Sequence, residues 1–338
     1  MNRFAALPES VRRGLRPSPH PRWVEPMLAT LTDQRFSDPG WLFERKLDGE
    51  RCLAFRDGPT VRLLSRTGRP LGNTYPELVD ALGVQDVDDF VVDGEVVAFE
   101  HGGTSFARLQ QRIGITDPDL ARRSPVAVYF YLFDILHLDG HDTKGLALRV
   151  RKTLLRQALT FRAALRFTAH RNTTGEAYFA HACAHGWEGV IAKRADAPYV
   201  TRRSPDWLKF KCSAGQEFVV GGFTEPAGSR VGLGALLVGY YDGGDFLYAG
   251  KVGTGYSQAT LRDLRRRLDA LEVPESPFAR RRVSERGVHW VRPQLVVQVA
   301  FTEWTRDGKL RHPRFEGLRH DKTARAVIRE KPVGERRG

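Results

Sequence analysis

From Trp41 onward, apolar positions recur in short runs that alternate between the two-residue period of strands and the wider spacing of helices. Phe43 to Phe55 and Val61 to Ser65 read as strands, separated by a turn at Asp57-Gly58-Pro59. Asp89 to Phe99 reads as another strand, and Val126 to Leu136 as a near-continuous apolar one. Arg149 to Leu159 and Thr174 to His185 carry helical spacing, the second closing at Gly186. Gly189 to Ala192 and Trp207 to Cys212 return to strand. Beyond Lys211 the pattern shifts to short strands with glycine-rich turns: Glu217 to Phe223, Ala235 to Tyr241, Phe246 to Val252 and Leu295 to Trp304. One helix, Gln258 to Leu271, interrupts them, which fits a small, partly open barrel of the oligonucleotide-binding type. The expected organisation is a basic, flexible lead-in over 1–25, rich in Arg and Pro, then a mixed domain over 26–213 and a barrel domain over 214–338.

Composition narrows the class. With 338 residues, 41% of them apolar, the chain can bury two cores. No apolar stretch approaches a bilayer span and the N-terminus lacks a secretory apolar core, so the expected setting is the cytoplasm, with no membrane partner. Lys and Arg total 53 against 40 acidic residues, a net charge of +13 that points to a polyanionic partner such as nucleic acid. Cys52, Cys183 and Cys212 are too few and too scattered for a disulfide framework or zinc cluster, and imply a reducing compartment without structural metal. Only ten of the 53 basic residues are lysine, so arginine serves as the generic cation here. A lysine is then a candidate for chemistry that needs a deprotonatable amine or a compact charge.

Six segments carry candidate chemistry. In Glu44-Arg45-Lys46-Leu47-Asp48-Gly49-Glu50-Arg51, alternate residues of an extended chain share a face, so Glu44 and Lys46 point into one cleft, Asp-Gly permits a tight turn, and Arg51 re-enters with a fixed cation. Taken alone, Lys-x-Asp-Gly fits a mixed-charge surface hairpin equally well. Val91 to Phe99 places Asp93 and Glu95 on one face of an apolar strand, where unpaired carboxylates are expensive. In Tyr131 to Leu136, Phe133 is suited to stacking on a base or to core packing. Glu188 to Arg194 puts a carboxylate where a helix gives way to a strand, and Trp207 to Lys211 puts Lys209 and Lys211 on one face. Arg311 to Lys322 is a basic cluster that fits a phosphate-contacting loop or a solvated charge run. His181, Cys183 and His185 lack a further ligand and read as a surface helix face. The basic runs Arg262 to Arg267 and Arg280 to Arg282 suit a DNA backbone or plain solvent.

In order, these segments resemble the signature of the covalent nucleotidyltransferases, the superfamily of DNA ligases, RNA ligases and capping enzymes, over Met27 to Lys322. Leu64-Ser65-Arg66 and the ending Arg319 to Lys322 are similar to the DNA ligase branch, above all to the ATP-dependent ligase module of bacterial end-joining repair, stand-alone forms included. The resemblance implies an α+β fold, a nucleotidyltransferase domain of ATP-grasp-like antiparallel sheets followed by an OB-fold barrel. It implies ATP and Mg²⁺ (or Mn²⁺) as cofactors and nicked or broken double-stranded DNA as substrate. Lys46 would attack the ATP α-phosphate; Glu44 and Phe133 would hold adenine; Arg51 and Glu95 would contact ribose. Glu188, with Glu95, would bind the metal, and Lys193 would join the nucleotide site. Lys209 and Lys211 would neutralise the α-phosphate, and Arg66 would grip the nick 5′-phosphate. Arg319, Asp321 and Lys322 would close over pyrophosphate in the first step only. Because only a short lead-in precedes the catalytic domain, the expectation is a weak grip on nicks, helped by a DNA-end-binding protein; a repair polymerase is a further expected partner, and the chain is expected to be a monomer. A capping-type guanylyltransferase shares the lysine and carboxylates but would form lysyl-GMP. A catalytically silent DNA-binding scaffold would keep the fold without the reaction.

Overall fold

The computed structural model describes residues 3–332, apart from 6, 14, 101, 213, 227–230, 280–282, 284 and 286. The chain divides into two compact units, the first running through Cys212 and the second ending at Glu330.

The first unit is built on two sheets. Where one strand is expected over Phe43 to Phe55 there are two, Trp41–Lys46 and Glu50–Asp57, and they belong to different sheets. The Leu47-Asp48-Gly49 turn between them crosses from one sheet to the other. Gly49 makes this possible, since a Cβ there would lie 2.1 Å from the Val96 carbonyl oxygen. The larger sheet runs, in spatial order, Arg16–Pro17, His141–Asp142, Tyr129–Leu138, Asp89–Val97, Glu50–Asp57 and Thr60–Ser65, with Leu165–Phe167 parallel to Tyr129–Leu138. The smaller sheet runs His170–Asn172, Trp41–Lys46, Gly189–Arg194, Arg203–Lys211 and Leu28–Leu31.

Strand alternation fixes the layers. From the larger sheet, Cys52, Ala54, Val92, Phe130 and Leu132 pack with Leu78 and Leu82 of helix Pro76–Gly83 and Leu154 and Leu155 of helix Leu148–Ala158. The other face sends Leu53, Phe55, Val91 and Phe133 into a second cluster with Met27, Tyr199 and Trp207. Phe43, Val190, Ala192 and Phe210 leave the smaller sheet on its far side and pack with Ala182 of helix Gly175–Ala184. At ~1.5–3 kcal/mol per fully buried large apolar side chain, these clusters are what hold the polar faces in position.

Two expectations need correction. The segment read as a flexible lead-in is tied down: it holds helix Glu9–Arg12 and a short strand paired with His141–Asp142, and Phe4, Leu7 and Val24 are buried. A two-residue pairing and scattered apolar residues leave no period to read. Cys183 and Cys212, read as too scattered for a disulfide framework, form a disulfide with a Cα–Cα distance of 5.2 Å. Their separation of 29 residues hid the pairing, because it depends on a helix packing beside the last residue of a strand.

In the second unit the long strand Ala214–Thr224 pairs with Leu236–Asp242, with Val288–Val291 and with Val296–Phe301. Asp245–Val252 continues one side and Arg314–Arg319 the other. These outer strands meet at a seam without a ladder, held by Phe315 N–H donating to Thr254 O (2.9 Å) and a bridge between Thr254 and Arg314. Among the described residues the barrel is therefore partly open, as the OB type allows. Helix Gln258–Asp269, capped by Ser257, buries Leu261, Leu264 and Leu268 in the barrel core. No helix among the described residues is long and apolar enough to cross a membrane.

Candidate active site

Register on the smaller sheet assembles the chemistry. Lys46 lies opposite Gly189, which lies opposite Lys211. The next row on the same face is Glu44, Ile191 and Lys209, and the next is Leu42, Lys193 and Trp207. Opposed residues share a face, so Lys46, Glu44, Lys193, Lys209 and Lys211 leave by one side. Gly189 has φ 147°, and a Cβ there would lie 1.9 Å from the Phe210 carbonyl oxygen, so only glycine lets the three strands close at the Lys46 row. Glu188 immediately precedes it and forms an ion pair with Lys46 Nζ.

The larger sheet supplies a second wall. Arg51 lies opposite Glu95, and Leu53 opposite Asp93. Arg51 forks onto the buried Asp93 through Nε–Oδ1 (2.5 Å) and Nη2–Oδ2 (2.6 Å), and the Tyr199 hydroxyl donates to Asp93 Oδ2 (2.7 Å). Burial works against charge on Arg51, but Asp93 outweighs it and the guanidinium stays charged, its pKa raised. It lies over Phe133, 4.7 Å from the ring centroid, while Lys193 Nζ lies 4.0 Å from Phe133 and 4.1 Å from Trp207. Phe133 is 7% exposed, so it packs in the core and also borders the site. Asp48 steadies the turn by accepting from Phe106 N–H (3.0 Å).

Glu44 is buried between two ammonium groups, Lys152 Nζ at 2.5 Å and Lys193 Nζ at 2.6 Å. Burial raises its pKa, but the two lysines outweigh that and the net direction is down. Lys193 goes the other way: burial pushes it down to about 8, opposed by Glu44 and assisted by the charge on Lys152. Lys46 favours its protonated form in the protein alone. Burial would lower its pKa, yet Glu188, and beyond it Asp48 and Glu95, outweigh burial, and the amine is held protonated. Glu188 Oε2 is buried and accepts no hydrogen bond from the protein, which leaves an anionic acceptor suited to a cation.

Sequence reasoning missed part of this site. Lys152 and Arg151 both come from helix Leu148–Ala158 and are buried. Arg151 forks onto Asp134 (2.7 and 3.0 Å), fixing the strand next to Phe133. The scarcity of lysine was the signal that could have drawn attention to Lys152. Arg66 lies in the turn after strand Thr60–Ser65, where Gly68 N–H donates to Ser65 O (2.9 Å). Arg319, Asp321 and Lys322 belong to the second unit. There Arg319 forks onto Asp321 (2.9 Å for both bonds) and Lys322 Nζ lies 3.3 Å from Glu217 Oε2. His185 Nδ1 meets the His181 carbonyl at 2.8 Å, and Cys183 is in the disulfide. On helix Gln258–Asp269, Arg265 pairs with Asp269 and Glu225, and Arg266 and Arg267 pair with Asp263. Arg280 to Arg282 lie outside the described residues.

Residues 26–211 match the family model described as "ATP dependent DNA ligase domain", and residues 229–322 match "ATP dependent DNA ligase C terminal region". The chain is similar to the multifunctional non-homologous end joining protein LigD of Pseudomonas aeruginosa, 39% identical over 325 residues that cover 94% of this chain and 38% of that protein. Its likeness to the LigD repair protein of Mycobacterium tuberculosis is 40% over 319 residues, 91% of this chain and 40% of that one. The chain thus spans about two fifths of the length of these relatives. Among solved structures, a mycobacterial DNA ligase D complexed with ATP and MES matches with a TM-score of 0.66 and 36% identity, covering 91% of this chain and 98% of that one.

Proposed function

Because the chain belongs to the ATP-dependent DNA ligases, we propose that it seals 5′-phosphate/3′-hydroxyl breaks in duplex DNA during end-joining repair, with Lys46 as its nucleophile. The observation that carries this reading is the convergence of Lys46, Lys193, Lys209 and Lys211 on one face of one sheet, with Glu188 paired to Lys46 at its edge. In the first step Lys46 gives up its ammonium proton to solvent, the free amine attacks the α-phosphorus of ATP, a P–N bond forms as the nitrogen releases a second proton to solvent, the α–β anhydride breaks and pyrophosphate leaves. In the second, an oxygen of the 5′-phosphate of the break attacks the adenylate phosphorus, a P–O–P anhydride forms, the P–N bond breaks and the Lys46 nitrogen leaves, taking up protons from solvent. In the third, the 3′-hydroxyl attacks that phosphate and AMP leaves.

Each step is a displacement at phosphorus, so the protein's task is positioning and charge neutralisation. Lys209 and Lys211 supply compact positive charge on the face that carries Lys46. Glu44 offers the adenine edge an acceptor and Phe133 a ring. Arg51, fixed by Asp93, and Glu95 border the ribose, with Lys193 beside them. Arg66 takes the 5′-phosphate, and Arg319, Asp321 and Lys322 meet the pyrophosphate of ATP. Glu188 and Glu95 fit a Mg²⁺ or Mn²⁺ ion, as the unpartnered Oε2 of Glu188 indicates, and that ion supplies Lewis-acid charge neutralisation at the phosphate. When Glu188 is engaged elsewhere, Lys46 loses the strongest of the contacts that favour its protonated form. Partners of this reading are an end-binding protein and a repair polymerase, in the bacterial cytoplasm.

The test is incubation of wild type and Lys46→Ala with α-labelled ATP or GTP, peptide mass spectrometry, and a nicked-duplex sealing assay. Adenylate on Lys46, with labelling and sealing both lost in the variant, is the expected outcome. Adenylate on another residue, guanylate in its place, or sealing by Lys46→Ala would overturn the reading.

A further inference from the structure

A second cluster of ligating side chains lies outside the nucleotide site. His20 comes from the N-terminal segment, Asp89 opens strand Asp89–Val97, and His137 lies near the end of strand Tyr129–Leu138. One donor atom from each lies within 4.8 Å of the others. His20 Nδ1 is 2.8 Å from Asp89 Oδ1, and His137 Nε2 is 3.0 Å from the same oxygen. Asp89 is held in place from two sides: its Oδ2 accepts from Gly140 N–H at 2.6 Å, and its carbonyl accepts from Asp139 N–H at 3.0 Å. The His20 and His137 side chains are 11% and 2% exposed. His20 Nε2 is buried and meets no hydrogen-bond partner, so only the Nδ1 contact governs which nitrogen carries the proton.

We propose that His20, Asp89 and His137 bind a divalent cation of the zinc class, tying the N-terminal segment to the edge of the larger sheet. Two imidazoles and one carboxylate are the donor set that borderline ions prefer over magnesium, with a fourth position left for water. Donors around a tetrahedral ion with bonds of ~2.0–2.1 Å stand ~3.3 Å apart. The His20–Asp89 distance of 2.8 Å therefore needs to open by about half an ångström, a movement of the N-terminal segment, and the His137–Asp89 distance of 3.0 Å by about 0.3 Å, a small rotation of the two side chains. The Gly140 N–H contact orients the carboxylate from behind, as outer contacts do at metal centres, and leaves Oδ1 for the ion. The same segment is already positioned by Ser18 N–H donating to Gly140 O (2.9 Å) and by Trp23 stacking on Phe55. A cation would add a cross-link where backbone pairing is only two residues long.

The full chain, stripped with a chelator, is dialysed against zinc chloride with excess magnesium, washed, and its metal content and melting temperature measured. Cobalt(II) provides a second readout through the visible absorption of a site with nitrogen donors. Wild type is expected to retain zinc in proportion to protein, to melt higher with zinc, and to give the cobalt spectrum. His20→Ala, which changes only the N-terminal segment, and His137→Ala should lose all three responses. His20→Ala should still form lysyl-AMP with magnesium, which separates this site from the one that serves catalysis. Absence of retained zinc in wild type, or equal retention and spectra in wild type and His20→Ala, overturns the proposal and leaves the triad as a hydrogen-bonded cluster.

Discussion

One buried carboxylate facing two buried ammonium groups cannot satisfy both charges, and Glu44 is in that position between Lys152 and Lys193. Lys193 carries the consequence, its pKa brought down to about 8 by burial first and then by Lys152. Below that pH both folded and unfolded chains hold the proton, and the cost of burying the charge is fully present. Between about 8 and the ordinary value of 10.5 the folded chain releases a proton that the unfolded chain keeps, so stability from this group rises with pH. The slope from one group cannot exceed ~1.4 kcal/mol per pH unit. In Lys152→Met a like charge is gone, Lys193 titrates higher, and the rise starts later and is smaller. Denaturant midpoints of both proteins from neutral to alkaline pH check this; superimposable curves would remove Lys152 as a cause. Of this triad Glu44 and Lys193 were legible, because strand alternation and motif spacing place them. Lys152 was not, since its partner is 108 residues away and only packing of a helix against a sheet brings them together.

At the scale of elements, the disulfide closes the chain between Cys183 and Cys212, and the enclosed stretch carries Glu188, Lys193, Lys209 and Lys211. It joins helix Gly175–Ala184 to the residue after strand Arg203–Lys211, so it braces the small sheet on the side away from Lys46. In the loop-entropy account, a closed loop of this size stabilises by ~3–4 kcal/mol. Reduction, or Cys183→Ser, should lower the melting temperature by several degrees, ~2–4 °C per kcal/mol in a chain of this size. Parallel melts with and without a dithiol check it, with thiol counting under denaturing conditions. Equal melting temperatures for the two forms would show that the bond braces nothing. The same contrast explains what the sequence hid at this scale. Strands and helices followed from periodicity, but the change of sheet at Leu47-Asp48-Gly49 did not, because a tight turn between two strands ordinarily makes a hairpin. The deciding feature is the close approach of Gly49 to Val96, a contact between segments distant in sequence.

For the whole molecule, the proposed chemistry divides between the units: the nucleophile and its cations lie in the first, and Arg319, Asp321 and Lys322 in the second. A group that neutralises departing pyrophosphate matters while that bond breaks, and has nothing to act on once the adenylate is on DNA. Lys322 is the better probe of the three, because Arg319 and Asp321 fork onto each other at 2.9 Å and removing either leaves a partner charge that is only 11% or 3% exposed. Lys322 is 14% exposed at the side chain and its contact with Glu217 is a longer one at 3.3 Å. Lys322→Ala should therefore slow formation of lysyl-AMP by roughly a hundredfold, the size of effect seen when one transition-state donor is lost. Closure of a nick supplied already adenylylated should change by no more than about twofold, since an interaction confined to one step leaves the others intact. Single-turnover assays of the two reactions on the same preparation make the comparison. An equal fall in both would mean that Lys322 supports the fold or DNA binding, and would detach the second unit from the first step.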